Sequence, residues 1–410
     1  MFSGGKPLQC YSGRRERGSK HRCGACSMTG RLPFAPAFDH LVYVRVFEGC
    51  NLHCEHCFIP SNPKKMSDDD LIAIPEKVRQ FAKPGSQILL QWHGGEPTIF
   101  GAQWLNDAIE KVEAAGPDFH WQHGIQTNLM TYNDDWVPVY KQHFGGEVGV
   151  SWDPIIRLMR RGDPESNQKY EEQFWKNFEK LLSDDLDPYM VVTFTGTFVQ
   201  HFKDPYRFFQ MMEEKGVKRV HLERVTRTGY ARDNWDRVGL NNAEYSAAMS
   251  RFMRAYALYC QARHEAGAFD RIHVSPLDGL MQSVTRLENG DVGGYGCWSG
   301  SCDTKFHTID ANGYKAGCTA VTSEIDNKRA TEILMFPDYE SARAERQWNC
   351  QTCDFRKICS SGCLASLMDD GSGECSGGQQ LFMTARRLLQ GTQVQQKANM
   401  VSENAEMIAG

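Results

Sequence analysis

Three cysteines, Cys50, Cys54 and Cys57, stand at the spacing C-x3-C-x2-C in the run Glu48-Gly49-Cys50-Asn51-Leu52-His53-Cys54-Glu55-His56-Cys57-Phe58. A polar loop with this spacing can fold three thiolates around one iron–sulfur cluster, and three ligands on a four-iron cluster leave one iron open for chemistry. A structural zinc site with His53 or His56 as fourth ligand uses the same residues and stays open at this point. Eight further thiols follow: Cys297, Cys302, Cys318, Cys350, Cys353, Cys359, Cys363 and Cys375. They suffice for two fully ligated four-iron clusters or for two four-thiolate zinc sites, and spacing alone does not separate these.

The rest of the chain must position these thiols. His40–Phe47 is rich in Val, Tyr and Phe and reads as a strand that delivers the first cysteine loop. Strands are also expected at Gln87–Trp92, His120–Thr127, Glu147–Ser151, Tyr189–Phe198 and Val217–Val225. Helical spacing alternates with them at Asp68–Phe81, Ala102–Ala115, Asp135–His143, Tyr170–Leu182, Pro205–Lys215 and Ala243–Ala266. Six strand–helix pairs predict an α/β fold of parallel strands with covering helices, closed as a partial barrel or left open, with its chemistry at the C-terminal strand ends. The alternation is expected to stop near residue 275, where a Cys-, Gly- and Ser-rich region begins, and 379–390 reads as a closing helix. The expected divisions are a basic arm at 1–39, a core at 40–274, a cysteine-rich domain at 275–390 and a polar tail at 391–410. With 24% charged residues and a formal net charge of −5, the chain lacks the basic balance of a nucleic-acid binder. It has no apolar run long enough for a bilayer and no signal-peptide core, so a cytoplasmic protein without membrane partners is expected.

At its first cysteine motif the sequence resembles the radical SAM superfamily, whose signature is C-x3-C-x2-C after the first strand. Gly94-Gly95-Glu96-Pro97, after the second strand, looks like the family's GGEP motif, which grips the amino group of S-adenosylmethionine. Two glycines permit close backbone approach, and a glutamate pairs with an ammonium. Gln126-Thr127-Asn128 resembles a motif of the peptide-modifying branch, and Ser151-Trp152-Asp153-Pro154 is similar to its Ser-x-Asp-Gly segment, with Pro154 in place of the glycine. The resemblance implies cofactor contacts at His56, Gly94, Gly95, Glu96, Pro97, Asn128, Ser151 and Asp153, with His56 as a flat ring for adenine. Among Arg157, Arg160 and Arg161, Arg160 is the candidate for the cofactor's carboxylate.

The order of the later cysteines resembles the SPASM pattern found downstream of such cores. That resemblance implies a partial (β/α)6 TIM-barrel core followed by a SPASM domain, and three [4Fe-4S] clusters in all. The first uses Cys50, Cys54 and Cys57; one auxiliary cluster takes Cys297, Cys302, Cys318 and Cys363, the other Cys350, Cys353, Cys359 and Cys375. It implies reductive cleavage of S-adenosylmethionine to a 5′-deoxyadenosyl radical that abstracts hydrogen from a peptide or protein, fed by a reductant such as flavodoxin or ferredoxin.

Within the family, sulfatase-activating members carry an aspartate, the expected base, directly after the cysteine that matches Cys318. Here that residue is Thr319, and Asp278, Asp303 and Asp310 only lie nearby in sequence. The favoured expectation is therefore a maturase that crosslinks a ribosomally made peptide. A sulfatase-type, formylglycine-generating maturase and a non-catalytic iron–sulfur or zinc protein are the alternatives. The arm is shorter than an independently folding leader-binding domain, so recognition falls to the core and cysteine-rich surfaces or to a separate leader-binding partner. Cys260 reads as a core residue, whereas Cys10, Cys23, Cys26 and His21 in the arm form either a zinc site or an unligated segment.

Overall fold

The computed structural model describes residues 38–59, 64–268, 270–302, 304–323 and 338–391. The arm's Cys10, Cys23 and Cys26, and the tail from 392, lie outside the described residues, as does Asp303.

Among the described residues nine strands form one sheet: β1 (His40–Phe47), β2 (Gln87–Gly94), β3 (His120–Thr127), β4 (Glu147–Ser151), β5 (Asp187–Phe194), β6 (Arg219–Arg224), β7 (His273–Ser275), β8 (Phe306–Asp310) and β9 (Gly313–Ala316). Their order is β7-β6-β5-β4-β3-β2-β1-β8-β9, parallel throughout except for the β8–β9 hairpin. Along β1, Val42, Val44 and Val46 are fully buried against the covering helices, whereas Tyr43, Arg45 and Phe47 face the other way. The same alternation in β6 buries Val220 and Leu222 and leaves His221 and Glu223 on the inner face.

That inner face is concave. In a flat sheet β1 and β6 would stand five strand spacings apart, roughly 24 Å. Instead Tyr43 on β1 lies within electrostatic reach of Tyr189 on β5 and Glu223 on β6. Loops complete the ring where strands do not: Tyr230 N–H donates to the Cys57 carbonyl (2.8 Å), Asn234 Nδ2 donates to the Glu55 carbonyl (3.1 Å), and Arg237 pairs with Glu55 (2.7 Å). The segment after β6 thus closes onto the first cysteine loop at the C-terminal strand ends, so of the two arrangements the alternation left open the partial barrel, which the resemblance implied, is present.

The elements depart from the sequence reading at three places. The expected strand Tyr189–Phe198 stops at Phe194, because the Thr195 side chain caps a helix over Gly196–His201. The expected helix Asp68–Phe81 breaks into Asp68–Ile72 and Ile74–Val78, with Pro75, which lacks an N–H, in the first turn of the second piece. The alternation also continues past 275: β7 is followed by the helix Leu277–Glu288, and β8 pairs in parallel with β1. The cysteine-rich region therefore adds strands to the same sheet. Cys260 is 5% exposed on the helix Asn242–Glu265, in the core position expected of it. Among the described residues no helix is long and apolar enough to cross a membrane.

Candidate active site at the strand ends

The loop after β1 is held against the end of β2 by backbone alone. Gly95 N–H donates to the Phe47 carbonyl (2.8 Å) and Glu96 N–H to the Gly49 carbonyl (3.2 Å). A Cβ on Gly95 would collide with the Gly49 carbonyl and press on Cys50, and one on Gly94, at φ +128°, would strike the Phe47 carbonyl. Both glycines are therefore required by close approach. Cys50, Cys54 and Cys57 share one electrostatic neighbourhood. Burial pushes the Cys50 thiol up to about 12 and raises those of Cys54 and Cys57. Three thiols that resist ionisation when bare suit ligands to iron, whose charge stabilises the thiolates.

Glu96 is 1% exposed and accepts from four donors: Thr98 N–H (3.1 Å), the Thr98 hydroxyl (2.6 Å), the Thr127 hydroxyl (2.8 Å) and Asn128 N–H (2.8 Å). All four are neutral, and burial holds the carboxyl above its usual range. A buried carboxylate fixed by neutral donors fits an incoming ammonium, as the resemblance requires. Asn128 also donates from Nδ2 to Asn51 (2.7 Å) and to the Cys50 sulfur (3.7 Å). Ser151 Oγ accepts from Gln126 Nε2 (2.7 Å), while Pro97 is buried in the turn after Glu96.

The fourth strand end differs from the sequence reading. Arg160 is turned to solvent, with 71% of its side chain exposed and Asp163 3.9 Å away. The buried arginine is Arg157, whose Nε and Nη2 donate to Asp153 (2.8 and 2.6 Å) and whose Nη1 donates to the Cys54 sulfur (3.7 Å). Asp153 is fully buried and also accepts from Thr193 N–H (2.5 Å) and His56 Nε2 (3.3 Å). Asp153 thus positions Arg157, and the His56 ring is buried against it. Burial lowers the imidazole to about 4, and its Nδ1 has no hydrogen-bond partner among the described residues. An orphaned buried nitrogen beside the thiols is a ready contact for a bound group. Arg157 stands four residues after Asp153 across a non-helical turn in which Ile155 has φ +74°, so no helical period marked it in the sequence.

The later cysteines gather in two groups. Cys297, Cys302, Cys318 and Cys363 lie within reach of one another, and a hydrogen bond from Cys297 holds the Cys363 thiol below its ordinary range. Cys350, Cys353, Cys359 and Cys375 form the second group and line one cavity with Gly377, where a Cβ would press on the Cys359 sulfur. Two largely buried arginines on the helix Tyr339–Asn349 face the first group: Arg343 donates to the Cys302 sulfur (3.4 Å) and Arg346 to the Cys363 carbonyl (2.8 Å). Among the described residues no three His, Cys, Asp or Glu side chains form a group that could hold a metal ion; the eight thiols in two fours match in number the ligands of two four-iron clusters.

Thr319, next to Cys318, is engaged by Arg45 of β1. Arg45 Nε donates to the Thr319 hydroxyl (3.0 Å), Nη2 to its carbonyl (2.5 Å) and to Ser323 (2.7 Å), and Nη1 to Glu48 (3.1 Å). One buried cation therefore joins the loop before Cys50 to the loop after Cys318.

The radical SAM superfamily model matches residues 44–196. A serine-type anaerobic sulfatase-maturating enzyme of Klebsiella pneumoniae is 22% identical over 380 residues, covering 86% of this chain and 88% of that protein. A cysteine-type anaerobic sulfatase-maturating enzyme of Clostridium novyi is 20% identical over 337 residues, covering 77% and 84%. Among solved structures, native anSMEcpe with bound AdoMet and the Cp18Cys peptide superposes with a TM-score of 0.59 at 17% identity, covering 86% of this chain and 98% of that one. Streptococcus suis SuiB bound to S-adenosylmethionine gives 0.52 at 15% identity, covering 82% and 75%.

Proposed function

We propose, from its membership of the radical SAM superfamily, that this chain is a peptide-modifying oxidoreductase that installs an intramolecular crosslink in a ribosomally made peptide. Family membership implies a [4Fe-4S] cluster and S-adenosylmethionine, which together supply a 5′-deoxyadenosyl radical able to take a hydrogen atom from substrate. Cys50, Cys54 and Cys57 would hold the cluster. Glu96 would take the ammonium of S-adenosylmethionine, and Arg157 would offset the negative charge of the thiolates. The single observation that supports the reading is the docking of the Gly94-Gly95-Glu96 turn onto the Cys50 loop, which brings a buried carboxylate close to the three thiols that would hold the cluster.

Two further clusters in the remaining eight thiols would accept or relay electrons. A flavodoxin- or ferredoxin-class reductant in the cytoplasm would supply them, and a separate leader-binding protein would assist substrate capture. A peptide substrate is supported by the similar structures: those of two proteins contain bound peptides, anSMEcpe with Cp18Cys or Kp18Cys and SuiB with its precursor SuiA. A sulfatase-type maturase is the second reading, favoured by the names of the relatives that match along most of the chain. Thr319, gripped by Arg45 where that branch has its base, weighs for crosslinking.

The experiment is co-expression with the short reading frame beside the gene, then mass spectrometry. Loss of two hydrogens per site is the expected result. Conversion of a cysteine or serine in a sulfatase peptide to formylglycine would replace it with the second reading. A protein that binds zinc and neither iron nor sulfide would end both.

A further inference from the structure

The proposed reaction needs a group to take a proton, and three buried carboxylates among the described residues are already committed. Asp278 is buried and paired with Arg271 (3.0 Å), besides accepting from Tyr256 (3.1 Å) and Val274 N–H (3.0 Å). Asp310 is buried and paired with Lys315 (3.0 Å). Glu48 is buried and paired with Arg45 (3.1 Å).

On the inner face of β6 the arrangement differs. His221 and Glu223 alternate with buried Val220 and Leu222, so both side chains enter the concavity. A carboxylate only accepts, so His221 donates from Nε2 to Glu223 Oε2 (2.9 Å). That leaves Nδ1 to accept from the Ser275 hydroxyl (2.8 Å), and Ser275 Oγ accepts in turn from Tyr295 (2.7 Å). A Cβ on Gly279 would overlap the Tyr295 ring, so glycine there gives the tyrosine its place. The imidazole is thereby fixed in one tautomer and orientation, while the Glu223 side chain keeps 47% of its surface. Tyr43 on β1, Tyr245 on the helix Asn242–Glu265, Tyr295, and the thiols of Cys297, Cys318 and Cys363 face Glu223 within electrostatic reach. The site looks from the sheet toward the thiols and the strand ends where the radical would arise.

We propose that Glu223, hydrogen-bonded to His221, is the proton acceptor of the reaction, standing across the concavity from Thr319 in place of a base beside Cys318. The substrate's O–H, N–H or S–H bond breaks, and its proton bonds to the Glu223 carboxylate. Its electron pair forms the new bond to the substrate carbon from which the hydrogen atom was taken, and the one electron left over would pass to an iron–sulfur cluster held by the later cysteines. His221 is the positioning residue, and Ser275 and Tyr295 hold it. This inference rests on the peptide-modifying reading.

The test uses the full chain, anaerobically reconstituted, with the peptide encoded by the neighbouring short reading frame as probe. In Glu223→Gln, SAM cleavage to 5′-deoxyadenosine and deuterium transfer from labelled peptide should persist while modified peptide falls about 100-fold, the low end of general-base effects. Glu223→Asp should restore part of the yield. Native protein that neither cleaves SAM nor alters the peptide sinks the underlying reading. Native activity with undiminished Glu223→Gln product overturns the inference alone, as does loss of SAM cleavage with the product. If Glu223→Gln melts more than about 5 °C early, His221→Asn takes its place under the same criteria.

Discussion

Arg157 spans the two halves of the candidate site: Nη1 donates to the Cys54 sulfur at 3.7 Å while Nε and Nη2 grip Asp153 at 2.8 and 2.6 Å. The guanidinium is 8% exposed, so its charge acts in a medium that screens little. Desolvation alone would depress it, but Asp153 and the Cys54 thiol outweigh that and hold it above the usual arginine range. Removing one partner of such a pair leaves a buried carboxylate uncompensated, at a cost of about 3–5 kcal/mol. Arg157→Ala should therefore lower the denaturation midpoint strongly. Arg157→Lys keeps a charge but not the fork, and should fold while shifting the midpoint potential of the reconstituted cluster. An unchanged potential in Arg157→Lys would mean that the contact to Cys54 has no electronic role.

Gly95→Ala tests the docking of the two strand ends. The added methyl meets a backbone carbonyl, which cannot swing aside as a flexible side chain could. The Cys50 loop must move, by an amount small beside the barrel core but large beside a metal–sulfur bond. The variant should melt near the native temperature yet bind less iron and sulfide on reconstitution. Full cluster content would show that the loop tolerates displacement.

Acid stability should follow the histidine pair at the start of β1 and β8. His40 Nδ1 and His307 Nε2 lie 3.1 Å apart, and His307 stacks on Phe81 with ring centres 3.4 Å apart. Burial lowers both imidazoles, His307 to about 3. The unfolded chain binds these protons near pH 6.5 and the folded chain does not, so stability is full above about 6.5 and falls as pH drops toward 3. His307→Asn should flatten that acid limb in urea titrations at pH 7, 5 and 4. An identical limb in the variant would place the acid sensitivity elsewhere.

Much of this arrangement was legible in the residues. The alternation of Val42, Val44 and Val46 in β1 marked the strand and its buried face, and the cysteine spacings marked the regions where the thiols gather. What period could not show was closure. The curl that brings Tyr43 to Glu223 depends on strand tilt and on loop contacts such as Tyr230 with Cys57, which leave no local pattern. The choice of Arg157 over Arg160 hung on one turn after Asp153, and Ile155 at φ +74° turns the chain there in a way that Pro154 did not announce. His221 and Glu223 did carry a signal, polar residues alternating with Val220 and Leu222, but a solvent-facing edge would have looked the same.

The two groups of later cysteines should fail independently. Cys302→Ala removes a thiol from the group facing Arg343, and Cys359→Ala removes one from the group beside Gly377. If each group holds one four-iron cluster, each variant should lose about four irons and the double variant about eight. Iron analysis and the spectra of the reduced proteins measure this. A single substitution that empties both groups would show one shared centre.

Glu96 offers the sharpest separation of fold from cofactor binding. Its carboxylate ties Thr98, Thr127 and Asn128 together, so a substitution there acts on stability as well as on any ammonium nearby. Glu96→Gln turns one acceptor into a donor facing an N–H or a hydroxyl, which should cost about 1–3 kcal/mol of stability. Thr98→Val removes one donor to the same carboxylate and should cost a similar amount while leaving the charge in place. Titration of S-adenosylmethionine into the two reconstituted proteins then separates the roles. A charge-assisted bond of about 1.5–3 kcal/mol corresponds to roughly a 10- to 150-fold loss of affinity in Glu96→Gln. Thr98→Val should stay within about threefold of native. Equal weakening in both would mean that Glu96 serves the fold of the strand ends and that the ammonium is bound elsewhere.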